Sequence, residues 1–66
     1  MSTVSVPEAA SLLKVHENTV LKLIAGGDLP AARIWRSYVM LERDVLGYAE
    51  NMIVRQTAAR IGGKRG

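Results

Sequence analysis

The chain has 66 residues, no cysteine, a single histidine and a formal net charge of +3. A chain this short forms at most one small domain, and without cysteine neither a disulfide nor a thiolate metal site can brace it. No apolar run approaches the roughly 20 residues that a membrane-spanning helix needs, and the N-terminus lacks the order of a signal peptide. We therefore expect a cytoplasmic location, a small apolar core and an anionic partner.

The positive charge is concentrated at the C-terminal end. Residues 1–30 have a balance of −1, from two lysines against three acidic residues, and residues 31–50 have a balance of zero, from three arginines against three acidic residues. The last sixteen residues carry +4, from Arg55, Arg60, Lys64 and Arg65. Because Gly62-Gly63 stands beside these cations, we expect a folded domain over residues 1–57 and a flexible basic tail over residues 58–66.

The first helix is predicted to begin after Ser5. Ser5 and Glu8 have the spacing of a capping box, and Pro7 falls in the first turn, where its missing N–H costs nothing. The following apolar residues share one helical face: Val6, Ala9, Ala10 and Leu13. We expect this helix to cover about Val6 to Lys14.

The second helix is predicted from another apolar set at helical spacing, namely Val20, Leu23 and Ile24. It should run from about Glu17 to Ala25 and end where Gly26-Gly27 permits a left-handed cap. Only about three residues separate the two helices, and we expect Val15 in that turn to reach the core. Two helices joined by so short a turn cross at a steep angle, which is the helix-turn-helix arrangement.

A β-hairpin is predicted after the helix-breaking Asp28-Leu29-Pro30. Residues 31–35 alternate small or apolar side chains with a charge, and residues 38–41 are rich in β-forming residues, so each run is typical of a strand. Arg36-Ser37 should then form the tip of the hairpin.

A third helix is predicted from Glu42 to about Thr57. Glu42 and Asp44 suit the positive end of a helix, and the apolar period becomes helical again. The inner face of this helix should carry Val45, Ala49, Met52 and Ile53.

The order of these elements is mainly α with a small β-hairpin, α-α-β-β-α, and it resembles the winged helix-turn-helix of the MerR-like superfamily, in particular its small phage and plasmid excisionase branch. The resemblance covers about Thr3 to Tyr48. It rests on an ordered set of short motifs: Pro7-Glu8-Ala9-Ala10, Leu12-Leu13-Lys14-Val15, Asn18-Thr19-Val20, Leu23-Ile24, Gly27-Asp28-Leu29-Pro30, Arg33-Ile34, Arg36, Tyr38 and Arg43-Asp44-Val45.

This resemblance implies a bacterial or phage-encoded DNA-binding protein of the nucleoid. An excisionase, or recombination directionality factor, binds repeated sites on double-stranded DNA, bends the DNA and directs an integrase toward excision. With so few cations in the domain, one copy should bind weakly and with a strong salt dependence, so we expect self-association on DNA and cooperative binding.

The resemblance also places the start of the second helix in the major groove, where the candidate contacts are His16, Asn18, Thr19 and Lys22. Asn18 can bond adenine, Thr19 can meet phosphate or a thymine methyl group, and Lys22 can reach phosphate or guanine. Each also has a structural alternative: His16 and Thr19 as capping residues, Asn18 as an ordinary first-turn residue and Lys22 as a solvated lysine. Glu17 departs from the family pattern, and it either reads a cytosine amino group or favours the positive helix terminus.

The hairpin supplies the second set of candidate contacts, Arg33, Arg36 and Ser37. An arginine at a hairpin tip can enter a narrow minor groove, and Arg33 can contact phosphate unless it pairs with Glu42 or Asp44. Trp35 and Tyr38 are predicted core residues, because aromatic side chains usually serve burial first. For Trp35, self-association and packing on a sugar-phosphate edge stay open.

The sequence offers no catalytic set, so we expect a protein that is not an enzyme. No cofactor, metal, membrane contact or small-molecule substrate is expected either. Two alternatives to the excisionase remain: a small transcriptional regulator of a phage or plasmid, and a DNA-recognition module of a packaging complex in which the third helix is a dimerisation face.

Overall fold

The computed structural model of the chain describes residues 2–63. It has three helices and three strands in the order β1 (Thr3–Val4), α1 (Val6–Leu13), α2 (Glu17–Ala25), β2 (Ala32–Ile34), β3 (Ser37–Leu41) and α3 (Glu42–Gly63). The strands form one antiparallel sheet of order β1-β3-β2. The predicted winged helix-turn-helix fold is confirmed, and β1 adds a strand that the sequence did not predict.

The capping box at the start of α1 is present. The Ser5 N–H donates to Glu8 Oε1 at 2.8 Å, and the Glu8 N–H donates to Ser5 Oγ at 3.4 Å. The helix ends one residue before the predicted Lys14, because Lys14 adopts a left-handed conformation with φ 59°. The Val15 N–H then bonds the Ala10 carbonyl at 3.0 Å, which closes the helix and turns the chain toward α2.

The second helix has the predicted bounds. Its end satisfies the last carbonyls with the Schellman pattern, in which the Asp28 N–H bonds Leu23 O at 2.8 Å and the Gly27 N–H bonds Ile24 O at 3.1 Å. This pattern needs a positive φ at one residue, and Gly27 supplies it with φ 84°. The three residues 14–16 join α1 to α2, as a helix-turn-helix requires.

The core lies where α1, α2 and α3 meet the inner face of β3. Its buried members come from every helix and from β1, β3 and the loop after α2: Val4, Ala9, Ala10, Val20, Leu29, Met40 and Val45. The predicted burial of Val15 is wrong, because this side chain is 39% exposed in the turn after α1. The apolar faces of α1 and α2 are otherwise placed as their periodicity predicted.

The hairpin is one residue out of register with its prediction. The partner of Ile34 is Ser37, so the two residues between them, Trp35 and Arg36, form the turn and Ser37 begins β3. Trp35 has φ 60° and Arg36 does not share a positive φ, a pattern typical of a type II′ turn. The predicted tip at Arg36-Ser37 is therefore wrong.

Neither aromatic residue of the hairpin is in the core. Trp35 is 86% exposed because the turn carries it away from the helices, and Tyr38 is only half-buried. The core prediction for both residues is corrected accordingly. The buried side chain of β3 is Met40, two residues further along the same face.

The third helix extends beyond its predicted end near Thr57 and reaches Gly63. Ala58 and Ala59 are strong helix formers, and no helix-breaking residue stands between Thr57 and the glycines. Its predicted inner face is correct at Val45, which is buried, but not at Ile53, which is 66% exposed. The flexibility of residues 58–66 stays a prediction, and residues 64–66 lie outside the described part. Within residues 2–63 no helix is long and apolar enough to cross a membrane.

Candidate nucleic-acid interface

A groove of about 280 Å³ separates α2 from the hairpin. Its α2 wall is made by Glu17 and Leu21, and its hairpin wall is made by Arg33, Arg36 and Ser37, with the first turn of α1 between them. The start of α2 and the tip of the hairpin therefore lie on the same side of the molecule. This arrangement places two guanidinium groups beside the N-terminal end of a helix.

Two residues of α2 lie next to the groove wall and form the outermost row of the helix. Asn18 and Lys22 each come one residue after Glu17 and Leu21, which is about 100° further round a helix. Both are exposed, whereas Val20 on the opposite side of α2 is fully buried. Asn18 and Lys22 therefore project away from the domain, next to the groove that Arg36 lines.

Thr19 is separated from the other predicted contacts. It lines a different groove, between α2 and α3, together with Leu23, Tyr48 and Met52. The structure thus brings Asn18, Lys22 and the hairpin residues to one surface and leaves Thr19 on its far flank. A helix lying in the major groove still has two flanks, so Thr19 is positioned for the side away from the hairpin.

His16 is the N-cap residue of α2. Its Nδ1 accepts a hydrogen bond from the Asn18 N–H at 3.1 Å, so the structural alternative for His16 is realised. The bond occupies one ring nitrogen and leaves Nε2 free to act elsewhere. The cap also fixes the backbone of Asn18, which starts the outermost row of α2.

Arg33 lies on the inner face of the hairpin. Its cross-strand partner is Tyr38, and the Arg33 guanidinium carbon is 5.5 Å from the centroid of the Tyr38 ring. Its neighbours Ala32 and Ile34 point to the other face, where they share a groove with Asp44. Arg33 is therefore directed toward α2 and away from Asp44, one of the two acidic residues that were considered as its ion-pair partner.

Arg36 occupies the second position of the hairpin turn. Its guanidinium carbon is 6.0 Å from the centroid of the Trp35 ring, near the outer limit of a cation–π contact. Ser37 follows it as the first residue of β3 and lines the same groove. The turn thus presents a cation and a hydroxyl toward α2.

Sequence reasoning missed Leu21 as part of this surface. Leu21 is exposed in the groove wall one turn after Glu17, where an apolar side chain can meet a thymine methyl group. The spacing of four residues from Glu17 was the available signal. Pro7 at the start of α1 also lines the groove, but its position there depends on how α1 packs against α2.

The electrostatics of the groove favour an anion over a cation. Two arginines face one carboxylate, that of Glu17, and the start of α2 adds the positive end of the helix dipole. Among the described residues no group of three or more histidine, cysteine or acidic side chains could hold a metal ion. The surface is suited to phosphate groups and base edges.

A helix-turn-helix whose second helix is exposed beside a cationic hairpin defines the class of winged helix-turn-helix DNA-binding domains. The family model described as "Helix-turn-helix domain" matches residues 3–52. The chain belongs to this excisionase-like helix-turn-helix family.

One relative among curated proteins is the Bacillus subtilis (strain 168) protein called "Uncharacterized protein YvgK". The two are 41% identical over 58 residues, which make up 88% of this chain and 19% of the relative. The chain therefore spans about a fifth of the length of that protein. No solved structure gives a significant match.

Proposed function

We propose that this protein binds double-stranded DNA sequence-specifically, with α2 in the major groove and the hairpin over an adjacent minor groove. The proposal rests on one observation, that Glu17 and Leu21 of α2 share a groove with Arg33 and Arg36 of the hairpin. A major groove about 12 Å wide admits a helix, and the minor groove beside it concentrates negative potential that attracts arginine.

In this docking mode each exposed residue has a defined role. Asn18 makes a bidentate bond to an adenine edge, and Lys22 contacts phosphate or guanine from the same row. Arg36 enters the minor groove, and Arg33 and Ser37 contact phosphate between the two grooves. Thr19 contacts the phosphate backbone on the far flank, and the free Nε2 of His16 faces the strand at the helix start.

We further propose that the biological role is that of a recombination directionality factor from the excisionase branch of the MerR-like superfamily. The support is the resemblance of the ordered motifs and the membership of an excisionase-like family. Such a factor binds repeated sites cooperatively, bends the DNA and directs an integrase toward excision. The small number of cations in the docking surface agrees with a need for cooperativity.

A second copy of the chain is the partner that we propose for the exposed side of α3. Leu46 and Ile53 are exposed there and line a shallow groove together with Arg43 and Glu50. Arg43 and Glu50 lie about two turns apart with Leu46 and Gly47 midway between them. Two antiparallel α3 helices related by a twofold axis would bring each Arg43 to Glu50 of the other copy, with the small Gly47 allowing close approach.

A transcriptional regulator is the second candidate. The observation that favours it is the size of the Bacillus subtilis relative, of which the matching region is only 19%. A domain of this kind can thus be carried by a much longer chain, as in a regulator whose DNA-binding part is attached to another part.

Footprinting on the native locus tests the proposed role. Tandem direct repeats protected beside a recombination core support the directionality factor, whereas a palindrome protected over a promoter supports the regulator. Absence of protection on duplex DNA, at a salt concentration low enough to favour binding, would contradict both roles and the DNA-binding function itself.

A further inference from the structure

Trp35 combines two unfavourable features at one position. Its side chain is 86% exposed, although an indole gains from burial, and its backbone has φ 60°, a conformation that glycine or asparagine adopts far more readily than a bulky residue. Neither feature contributes to the fold, because the turn would close as well with glycine at this position. Residues that are held in such conformations concentrate at functional sites.

The surroundings of Trp35 define a tip of mixed apolar and cationic character. Ile34 beside it is 59% exposed, and the Arg36 guanidinium lies 6.0 Å from the indole centroid. From Ala31 to Leu41 the hairpin carries two arginines and no acidic residue. An apolar side chain flanked by arginine is the combination that minor-groove proteins use to unstack a base step and kink the duplex.

We infer that Trp35 is a DNA wedge: its indole enters the minor groove beside Arg36 and inserts between adjacent base pairs. This inference rests on the proposed function, since it needs the hairpin to lie over the duplex. It names the residue that bends the DNA, and it accounts for a tryptophan whose side chain is 86% exposed.

The geometry favours DNA over a second copy of the chain as the partner of Trp35. The turn is only two residues long, so the tip is narrow enough to present a single side chain to a groove about 6 Å wide. A second copy would bring another hairpin with the same two arginines, and like charges that approach closely repel each other. The phosphates that line a minor groove have the opposite charge.

The fluorescence of the full chain offers a direct test, because Trp35 is its only tryptophan. The probe is a duplex that the protein itself selects from a random-sequence pool, with binding followed independently by the anisotropy of a dye on the DNA. We expect the tryptophan emission to be quenched by the bases on binding and to become inaccessible to iodide. Energy transfer between dyes on the two DNA ends should report a bend.

Two variants distinguish an effect of Trp35 on DNA bending from an effect on the stability of the fold. Trp35→Gly relieves the positive φ and keeps the hairpin, so we expect unchanged or higher thermal stability, an affinity lower by roughly tenfold, the same salt slope and loss of the bend. Trp35→Phe retains an aromatic ring and should preserve most of the affinity and the bend.

The experiment distinguishes a failure of the wedge inference from a failure of the proposed DNA-binding function. Unchanged emission and iodide access on a duplex that is bound by anisotropy would overturn the wedge and leave DNA binding intact. An emission change that depends on protein concentration without DNA would assign Trp35 to a contact between copies instead. A bend that survives in Trp35→Gly would also overturn the inference, and failure to select any duplex would overturn the proposed function together with it.

Discussion

Glu17 of α2 and Arg36 of the hairpin line the two walls of one groove. Among the described residues of that lining, Glu17 is the one carboxylate, and it stands where the docking mode places the phosphates of the duplex. The positive end of α2 stabilises this carboxylate in the free protein. The negative charge of Glu17 lowers the affinity for DNA unless its carboxylate accepts a hydrogen bond from a base.

Replacing Glu17 with glutamine should therefore raise the affinity for duplex DNA by about two- to fivefold at low salt, because a repulsion from phosphate is removed. The same change should lower the free energy of unfolding by about 0.3–1 kcal/mol through the lost interaction with the helix terminus. Fluorescence anisotropy and urea unfolding measure the two effects. On a duplex with a single site, where no second copy binds, Glu50→Gln on α3 removes the same charge outside the docking surface and serves as the control. A loss of affinity confined to one cytosine-containing site would instead assign base reading to Glu17.

His16 gives a prediction on stability, because its Nδ1 caps the Asn18 N–H. His16→Ala should lower the free energy of unfolding by about 1 kcal/mol, whereas His16→Ser retains a capping oxygen and should not. Urea unfolding of the free protein checks this difference. If His16 acts only as a cap, the serine variant should bind DNA as the wild type does. An affinity loss in His16→Ser at unchanged stability would show that the free Nε2 contacts the DNA.

Asn18 should determine preference at a single base pair. Asn18→Ala should relax selectivity there by about 1–3 kcal/mol and leave the salt slope unchanged, since an uncharged base contact is lost. Binding to a set of duplexes with each base pair substituted in turn measures this effect. Asn51→Ala, at an exposed position of α3 that does not line the groove of Leu46 and Ile53, is the matched control. Equal loss on every duplex would mean that Asn18 contacts the backbone rather than a base.

The exposed side of α3 gives a prediction on cooperativity. Ile53→Glu should abolish the cooperative binding of two adjacent sites and leave the affinity for a single site unchanged, because it places a charge in the contact proposed between copies. Titration of duplexes that carry one or two sites separates these quantities. Cooperativity that persists in this variant would exclude the α3 surface as the contact. A stable dimer of the free wild-type protein in sedimentation would favour the assembly-module alternative.

The helices were predictable because their signals are local. The capping box of Ser5 and Glu8, the glycine that ends α2 and the apolar periodicity of α1 and α2 each lie within a few residues of the feature that they determine. The same locality explains why the start of α2 could be assigned as the candidate contact helix. The two-residue strand β1 has no such signal, because it is defined by pairing with Leu41 and Met40 far along the chain.

The errors arose where tertiary contacts override local pattern. Trp35 occupies a turn position that usually selects glycine or asparagine, so the register of the hairpin could not be deduced from turn chemistry. Ile53 continues the apolar period of α3, yet it is exposed, because it only lines an open groove with Leu12 and Val15 and is not covered by them. The spacing of Leu21 from Glu17 indicates only that the two share a face of α2, and the grouping of Leu21 with Arg33 and Arg36 depends on how the hairpin folds back against α2.

In the proposed docking mode, α2 and the hairpin contact the same duplex at the same time. The salt dependence of binding tests this most directly. On a duplex with a single site, Lys22→Ala and Arg36→Ala should each reduce the slope of log affinity against log salt by about 0.9, and the double variant by about twice that amount. Arg43→Ala, which removes a charge from α3, should leave the slope unchanged. Slopes that stay at the wild-type value in both Lys22→Ala and Arg36→Ala would contradict the docking mode.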